Sequence, residues 1–157
     1  MAANGLMYKV SFDAVTLTAA AQDVMQIIAA AGVPVLIHAY RFTVVPTITS
    51  GVAQDVRMQL RQIVESTAGS GGTAVTPRAT NQRNTVAAAG TYTRTVTTPG
   101  TAGNVLGSDE VSVIVPYERI YTPDQRVLVP AGTRWCLNLA ASIGALVSSF
   151  EMDVEEI

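Results

Sequence analysis

A two-residue period of apolar and polar side chains recurs through most of this chain and leaves little room for anything but strands. In the opening segment Tyr8, Val10 and Phe12 alternate with Lys9, Ser11 and Asp13, the spacing of a half-buried strand. The same period returns at Met58 and Leu60 with Val56, against Asp55, Arg57, Gln59 and Arg61. It returns again at Trp135, Leu137 and Leu139, and at Phe150, Met152 and Val154 against Glu151, Asp153 and Glu155. The run "VPVLIHAYRFTVV" is long and rich in β-branched and aromatic residues, which suits a strand. "QDVMQIIAA" also matches a helical face through Val24, Ile27, Ile28 and Ala31, but its β-rich neighbours favour a strand, paired with the next one in a hairpin across "AAAGVP".

The remaining segments are shorter. "VAAAGTYTRTVTT" is Thr-rich and polar, as edge strands are. "DEVSVIVPYERI" and "QRVLVP" are short strands broken by Pro116 within the first and Pro123 ahead of the second, positions that edges, strand starts and bulges tolerate. In "VPAGT" Pro130 presets φ and Gly132 is free to take positive φ, a turn suited to a tight closing hairpin. Taken together, about eight strands separated by Gly, Pro, Ser and Thr turns, with no long amphipathic helix, predict an all-β antiparallel sandwich with jelly roll as the leading topology. At 157 residues the chain is expected to be one domain, 1–157.

One stretch departs from the pattern. Ser66 to Asn84, "STAGSGGTAVTPRATNQRN", reads as a long loop or arm, and a loop of that length is either mobile or reaching for a partner. Fully extended it would span about 60 Å. Thr73, Val75 and Thr76 have the composition for a short added strand on a neighbour's edge. Between Asp55 and Arg94 the basic residues Arg57, Arg61, Arg78, Arg83 and Arg94 outnumber Asp55 and Glu65. With Val75, these five arginines are the candidate partner-binding residues, and the terminal "EMDVEEI" is one acidic surface they could meet.

Charge is scarce. Asp, Glu, Lys and Arg make up 14% of the residues, against about 25% in an ordinary domain. The basic residues are nine Arg and one Lys, and interfaces favour Arg over Lys. A net charge of -2 gives no general basic excess to hold nucleic acid. Cys136 is the single cysteine, so no intrachain disulfide forms. "MAANGLMYKV" has no signal-peptide pattern, and "IIAAAGVPVLI" is too short to span a bilayer. The expectation is a soluble chain made in a cytoplasm, with no membrane partner.

Catalytic signals are missing from the sequence. One His and one Cys, far apart, make no zinc motif, no G-x-S-x-G elbow occurs, and "GSGG" is not followed by the Lys of a phosphate loop. His38, on the parity of Leu36, Tyr40 and Phe42, reads as a packed or boundary histidine, and Cys136 as a small buried hydrophobe. The pairs Asp109/Glu110 and Glu155/Glu156 point to opposite faces of their strands. No enzyme activity, metal or cofactor is expected. Tyr117, Tyr121 and Trp135 leave a carbohydrate-binding alternative open, and a cupin-like enzyme lacks its ligand histidines.

The order of pieces "YKVSFDAVTLTAAAQDVMQI", "VPVLIHAYRF", "VRMQLRQIVESTAGSGGTAVTPR", "RVLVPAGTRWCLNL" and "FEMDVEEI" resembles the small β-sandwich decoration (cement) and auxiliary head proteins of tailed bacteriophages. The resemblance covers nearly the whole chain, and its motifs are structural rather than chemical. It implies a virion protein on the outer surface of an icosahedral capsid, with the major capsid protein as partner and self-association as a homotrimer or, alternatively, a dimer. Another phage head or tail accessory role is the neighbouring possibility.

Overall fold

The computed structural model describes residues 5–18, 20–45, 57–81, 83, 85–112, 114–140 and 146–157. Its strands are β1 Leu6–Leu17, β2 Gln22–Ile28, β3 Val35–Val45, β4 Arg57–Glu65, β5 Thr73–Ala74 and β6 Arg78–Ala79, followed by β7 Thr91–Val96, β8 Ala102–Ser112, β9 Tyr117–Ile120, β10 Val127–Val129, β11 Arg134–Leu139 and β12 Leu146–Glu156. They form two antiparallel six-stranded sheets. The first runs β10-β3-β12-β1-β6, with β9 also on β3, and the second runs β5-β7-β2-β11-β4-β8. The all-β sandwich read from the alternation is therefore the fold. Asp55 and Val56, the turn at 46–51, and Gln82 and Asn84 at the end of the long loop lie outside the described residues.

The core follows from the register. Tyr8, Val10 and Phe12 on β1 lie opposite Val154, Met152 and Phe150 on β12, which in turn oppose Ile37, Tyr40 and Phe42 on β3. Across the sandwich, Trp135, Leu137 and Leu139 face the same interior. Tyr40 is the meeting point, with ring centroids 6.3 Å from both Trp135 and Phe150 and 6.0 Å from Tyr117.

Two local hairpin expectations are corrected. β2 and β3 belong to different sheets, and so do β10 and β11. β2 is buried over six successive residues and is flanked by β7 and β11, while β3 is flanked by β12 and by β9 and β10. Each strand therefore needs its own neighbours on both sides and cannot spend an edge on the other. The turns "AAAGVP" and "VPAGT" are instead corners between sheets, and they clasp each other. Ala29 N donates to Thr133 O at 3.0 Å, and Gly132 N donates to Ala29 O at 3.1 Å. Gly132 takes φ 73°, and Thr133 N closes the turn onto Pro130 O at 3.0 Å.

The segment from Ser66 is a strap rather than a free loop. Ser66 N donates to Thr101 O, Ser70 bridges Thr98, Thr73 and Ala74 pair with Arg94 and Thr93, and Val75 N donates to Tyr92 O. The chain then crosses to the first sheet, where Arg78 and Ala79 pair with Lys9 and Tyr8 and Thr80 N reaches Met7 O. Its glycines serve close approach. A Cβ on Gly69 would come 2.4 Å from Val96 Cγ1 and 2.8 Å from Thr98 O, and one on Gly72 would come 2.4 Å from Thr93 Cγ2.

Candidate functional site

Alternation along β11 puts Trp135, Leu137 and Leu139 into the core and turns Cys136 and Asn138 to the opposite face of the second sheet. The register sets Cys136 opposite Gln26 and Ile63, and Asn138 opposite Asp23 and Arg61. This second row is also sealed from solvent, with Asp23 and Cys136 at 0% exposure and Glu65 at 5%. The Cys136 sulfur and one carboxylate oxygen from each of Asp23 and Glu65 lie within 4.8 Å of one another.

Partners on both strands hold the group. Asn138 Nδ2 donates to Asp23 Oδ1 at 2.7 Å, and Arg61 Nη2 donates to Asn138 Oδ1 at 2.7 Å. Gln26 Nε2 donates to Glu65 Oε2, and Gly100 N donates to Glu65 Oε1 at 2.8 Å. Asp23 Oδ2 is buried with no hydrogen-bond partner. Burial pushes both carboxyls above their ordinary range, and for Glu65 the charge of Asp23 adds to it. Burial, then the two acids, push the Cys136 thiol up, so it is not a nucleophile at neutral pH.

Among the described residues Asp23, Glu65 and Cys136 are the three that could hold a metal ion. With three of the four carboxylate oxygens already accepting protein hydrogen bonds, the arrangement suits a proton shared between the acids, since two neighbouring buried carboxyls do not both ionise. Sequence reasoning missed this cluster because its members stand far apart in the chain and are joined only by strand pairing. Cys136 is buried, as expected of a small hydrophobe.

A third buried carboxylate fastens the strap. Glu156 accepts from Ala89 N and Gly90 N at 2.9 Å each and from Tyr92 OH at 3.1 Å. The other acids of the terminal segment are also used within the chain. Lys9 bonds Glu151 and pairs with Asp153 at 3.5 Å, while His38 Nε2 lies 2.9 Å from Glu155 Oε2. His38 does not share the face of Tyr40 and Phe42, because the register slips between Asp153/Ala39 and Val154/Ile37. That bulge carries His38 to a half-buried position beside Glu155.

The candidate partner-binding residues divide. Arg57 begins β4 opposite Ser112, and Arg61 is committed to Asn138. Val75 packs partly against the core. Arg94 lies over the Phe12 ring at 5.8 Å. Arg78 and Arg83 are exposed on the strap. Thus Arg78, Arg83 and Arg94 share one edge of the sandwich, and Arg57 and Arg61 lie toward the other.

Nor do the three aromatics make a sugar platform. Trp135 is 1% and Tyr121 8% exposed, and Tyr121 OH donates to buried Gln62 Oε1 at 2.7 Å. Tyr117 OH donates to Asp109 Oδ2 at 2.8 Å, where Arg119 Nη1 also binds at 2.9 Å, tying β9 to β8. A groove of about 530 Å³ does open on the first sheet, lined by Ser11, Asp13, Arg41, Arg78, Ser149 and Glu151 among others. No protein-family model, curated protein or solved structure matches the chain.

Proposed function

We propose that the chain is a structural virion protein that binds the outer surface of an icosahedral phage capsid and stabilises it, with the major capsid protein as its partner. The observation that carries this reading is where the apolar surface lies. Among the described residues, six of the eight exposed large hydrophobic side chains, Val105, Leu106, Ile114, Val115, Ile120 and Leu128, fall on β8, β9, β10 or the β8–β9 turn, at one edge of the sandwich. Adhesive area concentrated on a rigid β-core suits a subunit that works by covering other proteins.

Strand order supports a jelly-roll reading. Without β5, β6 and β7, the first sheet runs β1-β12-β3 with β9 and β10 beyond, and the second β2-β11-β4-β8. Apart from the β4–β8 and β9–β10 steps, successive strands pass from one sheet to the other, as in two wrapped Greek keys, an architecture common in viral shells. The reading is non-enzymatic: the buried polar cluster at Asp23, Glu65 and Cys136 is closed to any substrate. A carbohydrate-binding alternative now rests on the groove at Arg41 and Glu151 rather than on the aromatic side chains.

The test is immunogold labelling of intact purified virions with antibody against the folded chain, alongside mass spectrometry of the same particles. Gold on the outside of heads, with the chain present in many copies, is the expected result. A chain absent from virions, or reached by antibody only after the heads are opened, refutes the proposal.

A further inference from the structure

The outer face of the first sheet carries polar side chains that are left unpaired by their own chain. The register sets Ser11, Glu151 and Arg41 in one row across β1, β12 and β3, and Ser149 and Thr43 in the next. Arg78 joins them from β6 on the strap, and together these residues line the groove of about 530 Å³. That volume lies within the range of ligand pockets, about 300 to 1,000 Å³. A smaller hollow of about 80 Å³ shares Arg41 and Glu151 with the groove and continues to Glu118 and Asp153. The depression is therefore elongated across the strands, with Arg41 and Glu151 at its waist.

The backbone is distorted beside it. Between Phe12 and Val15 the register slips, so that Asp13 and Ala14 face Ser149 alone, and Ala14 takes φ 52°. That conformation is costly for a residue with a Cβ and is found where a site requires it; a bulge is also a means of re-aiming a side chain. Here it turns Asp13 to the groove, and Ser149 holds it, since Ser149 Oγ accepts from Ala14 N at 3.3 Å and donates to Asp13 Oδ1. Lys9 occupies Glu151 Oε1. Among the described residues Asp13 Oδ2 and Glu151 Oε2 accept no hydrogen bond, and the guanidinium groups of Arg41 and Arg78 make no hydrogen bond or ion pair.

The chemistry of the lining selects the ligand. Two arginines and two carboxylates balance in the groove, so there is no positive field for a phosphate chain. β12 is paired on both sides, with β1 and β3, and offers no backbone edge for an added peptide strand. Apart from Phe12 and Phe150, stacked at 5.6 Å, the described lining is polar, which disfavours an apolar ligand. A neutral molecule with donors and acceptors on neighbouring atoms matches it. Sugar hydroxyls do this, since each both donates and accepts, and a planar guanidinium can engage two of them at once.

We infer that this groove binds a neutral oligosaccharide lying across β1, β12 and β3, with Arg41 donating to its hydroxyls, Asp13 and Glu151 accepting from them, and Arg78 closing one end. The inference rests on the carbohydrate reading of the groove and makes it an additional activity of the subunit. It is independent of the capsid reading, because none of the six exposed apolar side chains on β8, β9, β10 and the β8–β9 turn lines the groove.

The experiment screens the full chain on an array of neutral hexose and N-acetylhexosamine oligosaccharides, beside sialylated glycans and heparin oligosaccharides. The strongest neutral binder is then titrated into isotope-labelled chain and followed by NMR. A neutral glycan should bind, and the shifted amides should gather at 11–14, 41–43 and 149–151. Arg41→Ala and Asp13→Ala should each weaken binding about tenfold or more, with circular dichroism confirming the fold; Arg41 makes no bond that folding would miss. Failure of every neutral glycan to bind, binding confined to the acidic glycans, shifts that map to the β8–β10 edge, or full affinity in Arg41→Ala would each overturn the inference. None of these outcomes alters the labelling of virions, so the two readings fail separately.

Discussion

The shared proton of Asp23 and Glu65 gives the sharpest prediction, because it reverses the usual sign of a carboxylate's contribution to stability. An unfolded chain loses both carboxyl protons near pH 4, whereas the folded chain keeps one longer, since burial raises both groups. Above the ordinary carboxyl range the folded state therefore binds more protons than the unfolded state. Stability from this pair is complete at or below the unfolded pKa and falls as pH rises toward the raised folded values. One excess proton corresponds to a loss of about 1.4 kcal/mol per pH unit while it is retained. Asp23→Asn removes the charge that Asp23 sets beside Glu65 and leaves one titrating acid in place of two, so the slope should flatten. Between pH 5 and pH 7 the parent should lose stability relative to the variant with rising pH, by no more than the slope of a single retained proton. The assay is urea unfolding of both chains at a series of pH values. Taking the difference between them cancels the groups remote from the pair. A difference that stays flat across this range, or one that grows in the parent's favour, would refute the shared proton.

Three further outcomes follow from the packing. Trp135→Ala should cost about 3 to 5 kcal/mol in denaturant melts, since the ring is buried against Tyr40; unchanged stability would mean the ring is not in the core. Glu156→Ala strands two backbone donors and the Tyr92 hydroxyl, for a loss of about 2 to 4 kcal/mol, and hydrogen exchange should quicken first at Ala89 and Gly90. Replacing 66–84 by a short Gly/Ser linker removes β5 and β6 together with Val75 and Ala79, which pack against the core, and should cost about 2 to 4 kcal/mol. An unaltered melting curve would show that the strap lies loose on the sandwich.

How much of this was legible depends on the range over which each feature is decided. Period-two alternation is local, so the inward faces at Tyr8 and Val10, at Trp135, Leu137 and Leu139, and at Phe150, Met152 and Val154 could be read directly. Sheet membership is not local. "AAAGVP" has the composition of a hairpin turn, yet β2 and β3 part there because each is completed by strands distant in the chain. A single bulge in β3 moved His38 off the face that its parity assigned. The strap was misread for a related reason: Gly69 and Gly72 look like flexibility in a sequence, and only the backbone packed against them reveals that a Cβ would not fit.

Glu65 and Glu156, two of the three buried acids among the described residues, bear on one structure. Glu65 ends β4 where the strap departs and holds Gly100 N where the insertion returns, while Glu156 reaches from β12 to hold Ala89 and Gly90 between them. The insertion is thus pinned from both sheets by charge-assisted bonds, which are roughly twice as strong as neutral ones. At its base sits the acid whose protonation is shared with Asp23. Ionising both acids would set two buried negative charges beside each other, with Arg61 acting through Asn138 as the charged counterpart. Relief comes most readily by letting Glu65 turn toward water, and that motion releases Gly100. Rising pH should therefore loosen the base of the strap before it unfolds the sandwich, and the amides of residues 97–101 should lose exchange protection at a lower pH than those of β11. If both lose protection together, the dyad acts on the fold as a whole and the strap has no separate latch.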